Sequence, residues 1–96
     1  MPKIALVDDE QSILTSVSLS LQSEGFKVDT FLNGVEALEA LESKSYDLGL
    51  FDIKMPKMDG NELLSKVRSS KIENLKDLPI IFLTSKDHEQ DEIIGL

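Results

Sequence analysis

The sequence predicts a doubly wound α/β fold, a parallel sheet with helices on both faces. Three observations predict it: short apolar runs that stop at acidic or hydroxyl residues, amphipathic segments of helical spacing between them, and glycine or proline at the joints. Parallel strands need crossover connections, and right-handed crossovers in alternation put helices on the two sides of the sheet.

Ile4, Ala5, Leu6 and Val7 form the first run, halted by Asp8, Asp9 and Glu10 as a buried parallel strand is at its end. From Ser12 onward Ile13, Leu14, Val17 and Leu21 recur at helical spacing, and Gly25 stands where that helix terminates. Phe26 to Phe31 alternates, which predicts a second, more exposed strand followed by an Asn33-Gly34 turn. Val35, Leu38 and Leu41 line one face of a second helix, and Asp47 to Phe51 is a third run ending at Asp52. Gly49 replaces the bulky aliphatic residue expected in a central strand, which either weakens the core or allows close backbone approach. After a loop with Met55-Pro56 and Asp59-Gly60, the residues Leu63, Leu64 and Val67 predict a third helix. Ser69 to Asp77 is the most polar connection and reads as a solvated loop. Leu78 to Leu83 predicts a fourth strand ending at Thr84-Ser85, and Asp87 to Leu96 the start of a fourth helix.

With 96 residues, 41% of them hydrophobic, the chain suits one small domain over 1–96. The absence of Cys excludes a disulfide framework and a Cys-based zinc or redox site. Met1 to Val7 runs straight into acid, with neither a signal-peptide cleavage region nor a span long enough for a bilayer, so the expectation is a soluble, cytoplasmic protein without membrane contact. Ten Lys and Arg against eighteen Asp and Glu give a formal net charge of -8, which repels phosphate backbones. Direct DNA binding by this chain is not expected.

In an open parallel sheet the carboxyl ends of the strands line the ligand crevice, so Asp8, Asp9, Asp52 and Thr84 are expected to converge there. Crowded carboxylates repel, and a hard divalent cation relieves them. Magnesium fits, because it takes a few carboxylate or carbonyl oxygens and leaves a position for a phosphate oxygen. A carboxylate in such a site attacks phosphorus to give an acyl phosphate. Asp52 stands alone at the end of the central run and is the expected nucleophile, with the adjacent Asp8 and Asp9 holding the metal. The plainer alternative is that each strand-end Asp caps the following helix.

Val7-Asp8-Asp9-Glu10, Phe51 to Gly60 and Phe82-Leu83-Thr84-Ser85 resemble, in order and spacing, the receiver domains of response regulators. Through Phe51–Gly60 and Ile81–Gly95 the resemblance is closest to ChvI-type regulators, of the class that joins a receiver to a winged-helix DNA-binding domain. It implies a flavodoxin-like, CheY-like fold with strand order 2-1-3-4, phosphorylation of Asp52 by a partner histidine kinase, and magnesium held by Asp8 or Asp9, by Asp52 and by the backbone carbonyl of Lys54. It also implies a switch hydroxyl at Thr84 that shifts the population of a pre-existing active conformation. The receiver catalyses its own phosphorylation but is not an independent enzyme. Transcription is controlled through a DNA-binding domain absent from this chain, and the winged-helix class implies a dimer. His88, among charges, has no assigned role.

A complete receiver would continue into a fifth strand carrying a Lys and then a fifth helix, whereas this sequence ends at Gly95-Leu96. Lys54, Lys57 and Lys86 fall at other motif positions. Without those elements the fourth strand is an edge that invites pairing, and an exchanged oligomer is one expectation. Two further readings stay open. A haloacid-dehalogenase-type phosphatase also uses a strand-end Asp, but needs a second Asp two residues later, where this chain has Lys54. A receiver-like interaction module would associate independently of phosphorylation.

Overall fold

Four short apolar runs become the strands of one parallel sheet because both faces of that sheet are covered. In the computed structural model, which describes residues 1–83, the elements are β1 (Lys3–Val7), α1 (Gln11–Ser23), β2 (Lys27–Phe31), α2 (Gly34–Ser43), β3 (Leu48–Asp52), α3 (Gly60–Arg68), α4 (Glu73–Lys76) and β4 (Ile80–Leu83). The strand order is β2-β1-β3-β4, so β1 and β3 are central neighbours, as expected. Thr84, His88 and the helix predicted over Asp87 to Leu96 lie outside the described residues.

Successive side chains of a strand point to opposite faces, which explains why β1 is apolar throughout. Ala5 and Val7, with Phe51, pack against Ala37, Leu41, Leu63 and Val67 of α2 and α3. Ile4, Leu6 and Leu50 meet Leu14 on the other side, with Val17 and Leu21 of α1 at the margin of that layer. Edge strand β2 is correspondingly less buried.

Gly25 ends α1 through φ +97°. Its N–H donates to the Gln22 carbonyl (3.0 Å) and that of Phe26 to the Leu21 carbonyl (3.2 Å), the paired bonds of a Schellman cap. Three sequence readings change. Asn33-Gly34 is a helix start rather than a turn, since the Asn33 side chain accepts the Glu36 N–H at 2.9 Å. That start places Gly34, Ala37, Leu38 and Leu41 on one face by their spacing and leaves Val35 exposed at 45%. The connection from Ser69 to Asp77 contains the one-turn helix α4, which buries Leu75. Arg68 anchors this segment, donating to the carbonyls of Lys76 (3.0 Å) and Leu78 (2.7 Å).

Gly49 pairs with Ala5 on one side and Ile80 on the other. A Cβ there would lie 2.8 Å from Cε1 of Phe51. The small residue is therefore a seat for a fully buried ring, a close approach by side chains rather than by the backbone that the sequence reading named. Gly49→Ala is expected to cost about 1–3 kcal/mol in urea unfolding, as overpacking does. Combining it with Phe51→Leu should cost less than the two single losses added, because the ring that clashes is gone.

At the edge of the sheet the Tyr46 hydroxyl donates to Asp29 Oδ2 at 2.7 Å. Lys3 Nζ lies 3.7 Å from the same oxygen and 5.1 Å from the Tyr46 ring centroid. Burial first, and then the bond to Asp29, pushes the phenol above its ordinary value of 10.0. The folded chain then holds a proton that the unfolded chain has lost, so this stabilisation is complete below that value and declines as pH rises above it. The chain has one Tyr and no Trp, so phenolate absorbance reports on this group alone. Ionisation is expected at higher pH in buffer than in urea; coincident curves would contradict the arrangement.

Candidate metal centre

The register Val7 with Phe51 brings the ends of the two central strands level, and the acids that follow meet there. Asp8 (2% exposed) and Asp52 (0%) are buried, while Asp9 is exposed. One carboxylate oxygen from each of the three lies within 4.8 Å of the others. The convergence expected of Asp8, Asp9 and Asp52 is thus present.

Asp8 is fixed by its backbone N–H, which donates to the Phe31 carbonyl at 3.1 Å, and by Oδ1, which accepts the Glu10 N–H at 2.9 Å. The second bond closes an Asx turn ahead of α1, whose N-cap is Glu10 with no side-chain cap bond, so Asp8 does not cap that helix as the plainer alternative held. Helix capping therefore accounts neither for Asp8, with Glu10 at the N-cap of α1, nor for Asp52, with Asp59 at the N-cap of α3. Like charges some 4 Å apart repel by roughly 1 kcal/mol in water and 4 kcal/mol at the effective dielectric of a protein surface. A divalent cation cancels that repulsion, and an all-oxygen carboxylate donor set suits magnesium. The residues present therefore fit the ion.

The β3–α3 loop closes one side of the site. Asp59 caps α3 by accepting the Glu62 N–H at 2.9 Å, and the Gly60 N–H donates to the Ile53 carbonyl at 2.8 Å. A Cβ on Gly60 would collide with the Asp52 carbonyl oxygen and stand 3.0 Å from the Phe82 ring. Gly60 thus serves close packing of α3 on the end of β3, beyond the turn that the sequence suggested. Lys54 is exposed at the start of this loop, and Met55 and Met58 are buried. Leu83 pairs with Asp52, and the expected switch residue Thr84 lies just outside the described residues. Sequence reasoning missed Lys57, whose φ of 71° is left-handed. No signal marked it, because Lys is not a residue that announces positive φ.

The profile described as Response regulator receiver domain matches residues 4–96. Among curated relatives, the alkaline phosphatase synthesis transcriptional regulatory protein PhoP of Bacillus subtilis is 40% identical over 98% of this chain and 38% of its own length. The transcriptional regulatory protein CpxR homolog of Haemophilus influenzae is 41% identical over 100% of this chain and 40% of its own length. The chain therefore spans about two fifths of the relatives it matches. Among solved structures, the response regulator TrrA of Thermotoga maritima in complex with Mg2+-BeF is similar at TM-score 0.82 and 42% identity, over 92% of this chain and 73% of that one. A chain from the complex of histidine kinase ThkA with TrrA is similar at TM-score 0.80 and 40% identity, over 97% of this chain and 77% of that one. No described helix is long and apolar enough to cross a membrane.

Asp9→Asn removes one of three clustered charges at an exposed position. It is expected to raise metal-free stability by about 1 kcal/mol through lost repulsion, while weakening magnesium binding at least ten-fold. Urea unfolding with and without magnesium separates the two effects, and a variant destabilised without metal would contradict this electrostatic account.

Proposed function

We propose, from a chain that belongs to the response regulator receiver domain family, that it is a phosphoryl-accepting switch with Asp52 as acceptor and with magnesium held by Asp8, Asp9, Asp52 and the backbone carbonyl of Lys54. The observation that carries this reading is the fully buried Asp52 carboxylate beside two further carboxylates at the carboxyl edge of a parallel sheet. A carboxylate oxygen of Asp52 attacks phosphorus, the bond from phosphorus to the histidine nitrogen of the donor breaks, and the freed imidazole leaves with the bond's electron pair. Bound magnesium would offset charge on the transferring group. Burial of Asp52 keeps bulk water from competing, the chain held by Gly60 fixes the acceptor strand, and Thr84 is the hydroxyl assigned to the phosphoryl oxygen.

The donor in this reading is a sensor histidine kinase, a pairing supported by the similarity to a chain from the ThkA–TrrA complex. The output is transcriptional, supported by the relatives named as transcriptional regulators, with DNA contacted by a domain other than this acidic unit. The unit works in the cytoplasm as part of a homodimer and is not an independent enzyme. The ChvI-type assignment rests on the sequence resemblance through Phe51–Gly60 and Ile81–Gly95.

Intact-mass analysis after acetyl phosphate and magnesium tests the assignment, on this chain and on one continued through the Lys-bearing strand that the resemblance implies. One phosphoryl adduct, lost in Asp52→Ala, is expected. An adduct that survives Asp52→Ala, or none on either chain, overturns the reading.

A further inference from the structure

A cavity of about 150 Å³ opens between the end of α2 and the segment that carries α4. It lies at the edge of the sheet where β3 and β4 begin, the edge away from Asp8, Asp9 and Asp52. Its floor is apolar, since Leu41, Leu75 and Leu78 line it and are each at most 4% exposed. Ile72, 43% exposed, stands at the mouth. An apolar cavity of this size accepts a group of about the dimensions of benzene.

Both walls are held by bonds of their own. Arg68 ties the α4 segment down through the carbonyls of Lys76 and Leu78, and Ser70 Oγ accepts the Ile72 N–H at 3.0 Å. Opposite, Tyr46 lines the cavity with its hydroxyl already committed to Asp29, so its ring is what it offers. A pocket formed beforehand costs a ligand little ordering of the protein.

The rim carries both signs of charge. Glu42 and Lys44 line it, both are exposed, and neither forms an ion pair among the described residues. The Lys44 N–H donates to the Ala40 carbonyl at 2.9 Å, which leaves the carbonyls of Leu41, Glu42 and Ser43 without a donor from the helix. Those carbonyls form the negative end of α2 and, with the Glu42 carboxylate, favour a cationic group. The Lys44 ammonium beside them favours an anionic one. Water would satisfy this rim but not a floor of three leucine side chains.

We propose that the cavity binds a free apolar α-amino acid of the leucine class, its branched side chain on Leu41, Leu75 and Leu78, its ammonium at Glu42 and the end of α2, and its carboxylate on Lys44. The three parts of the site select the three parts of the ligand. A neutral apolar molecule would fill the floor and leave both charged groups unused, and an amino acid without a side chain would reach only the rim. The site shares no residue with the acidic cluster, so it stands or falls independently of the magnesium reading.

Titration of the chain with L-leucine, followed by amide chemical shifts, tests this. Saturable shifts are expected over residues 41–46 and 72–78, which border the cavity. Glu42→Gln and Lys44→Gln change exposed side chains that the fold tolerates losing, and each should weaken binding at least three-fold. Isopentylamine, which lacks the carboxylate, and isocaproate, which lacks the ammonium, should also bind at least three-fold more weakly than leucine. Glycine should not saturate, and Asp9→Asn should bind leucine as the wild type does. No saturable shift with L-leucine overturns the proposal, and so do shifts centred elsewhere, an affinity unchanged in either charge variant, or glycine binding as well as leucine.

Discussion

Two carboxylates buried side by side, Asp8 and Asp52, are the constraint on which the rest of the architecture depends. A buried carboxylate is tolerated only where donors or a cation meet it. The strand order supplies the position, because β1 and β3 are adjacent in the middle of the sheet and end level with one another. Covered faces supply the rigidity, with α1 on one side and α2 and α3 on the other. Asp9 completes the cluster from the exposed side, where its carboxylate keeps contact with solvent when no cation is bound.

Small residues then decide how close the supporting elements come. Gly49 seats the Phe51 ring within β3, Gly60 lets α3 touch the backbone of Asp52, and Gly34 lets α2 bear on Met58. All three lie on or against β3 and the loop that follows it. β3 and its loop are thereby held by close contacts that only a residue without a Cβ leaves room for, with side chains at Gly49 and with backbone as well at Gly34 and Gly60. Steric closeness around β3 and the loop after it thus helps to set where the charges stand.

Most of this was legible in the sequence because the signals were strong and local. Apolar runs halted by acid marked β1 and β3, and Gly25 marked the end of α1. The strand-end rule for parallel sheets then brought Asp8, Asp9 and Asp52 together before any geometry was known. The failures have physical causes of their own. Val35 fits a helical stripe, but the Asn33 cap sets the start of α2 and turns that side chain outward. Four residues are too few to show a period, so α4 and its buried Leu75 passed as a polar loop. Gly49 drew notice as an oddity, yet the side-chain contact it makes room for needed the Phe51 ring in place. Lys57 gave no warning, since nothing in the chemistry of a lysine side chain favours a positive φ.

Charge arithmetic gives the site an order of events. Counted formally, Asp8, Asp9 and Asp52 contribute three negative charges, and a divalent cation leaves one. In the proposed function, a phosphoryl group on Asp52 would replace a single carboxylate charge with about two. On that reading the metal would arrive before the phosphoryl group, since the reverse order would gather about four negative charges in one buried crevice. Even with the metal bound, phosphorylation leaves the site more negative than before, and the excess has to be met by donors other than the three acids. On the proposed reading, a hydroxyl and a cationic side chain are the kinds of donor that an acyl phosphate here would call for. That demand also gives the switch its driving force, because contacts made only to the phosphorylated form are the only ones able to shift the population.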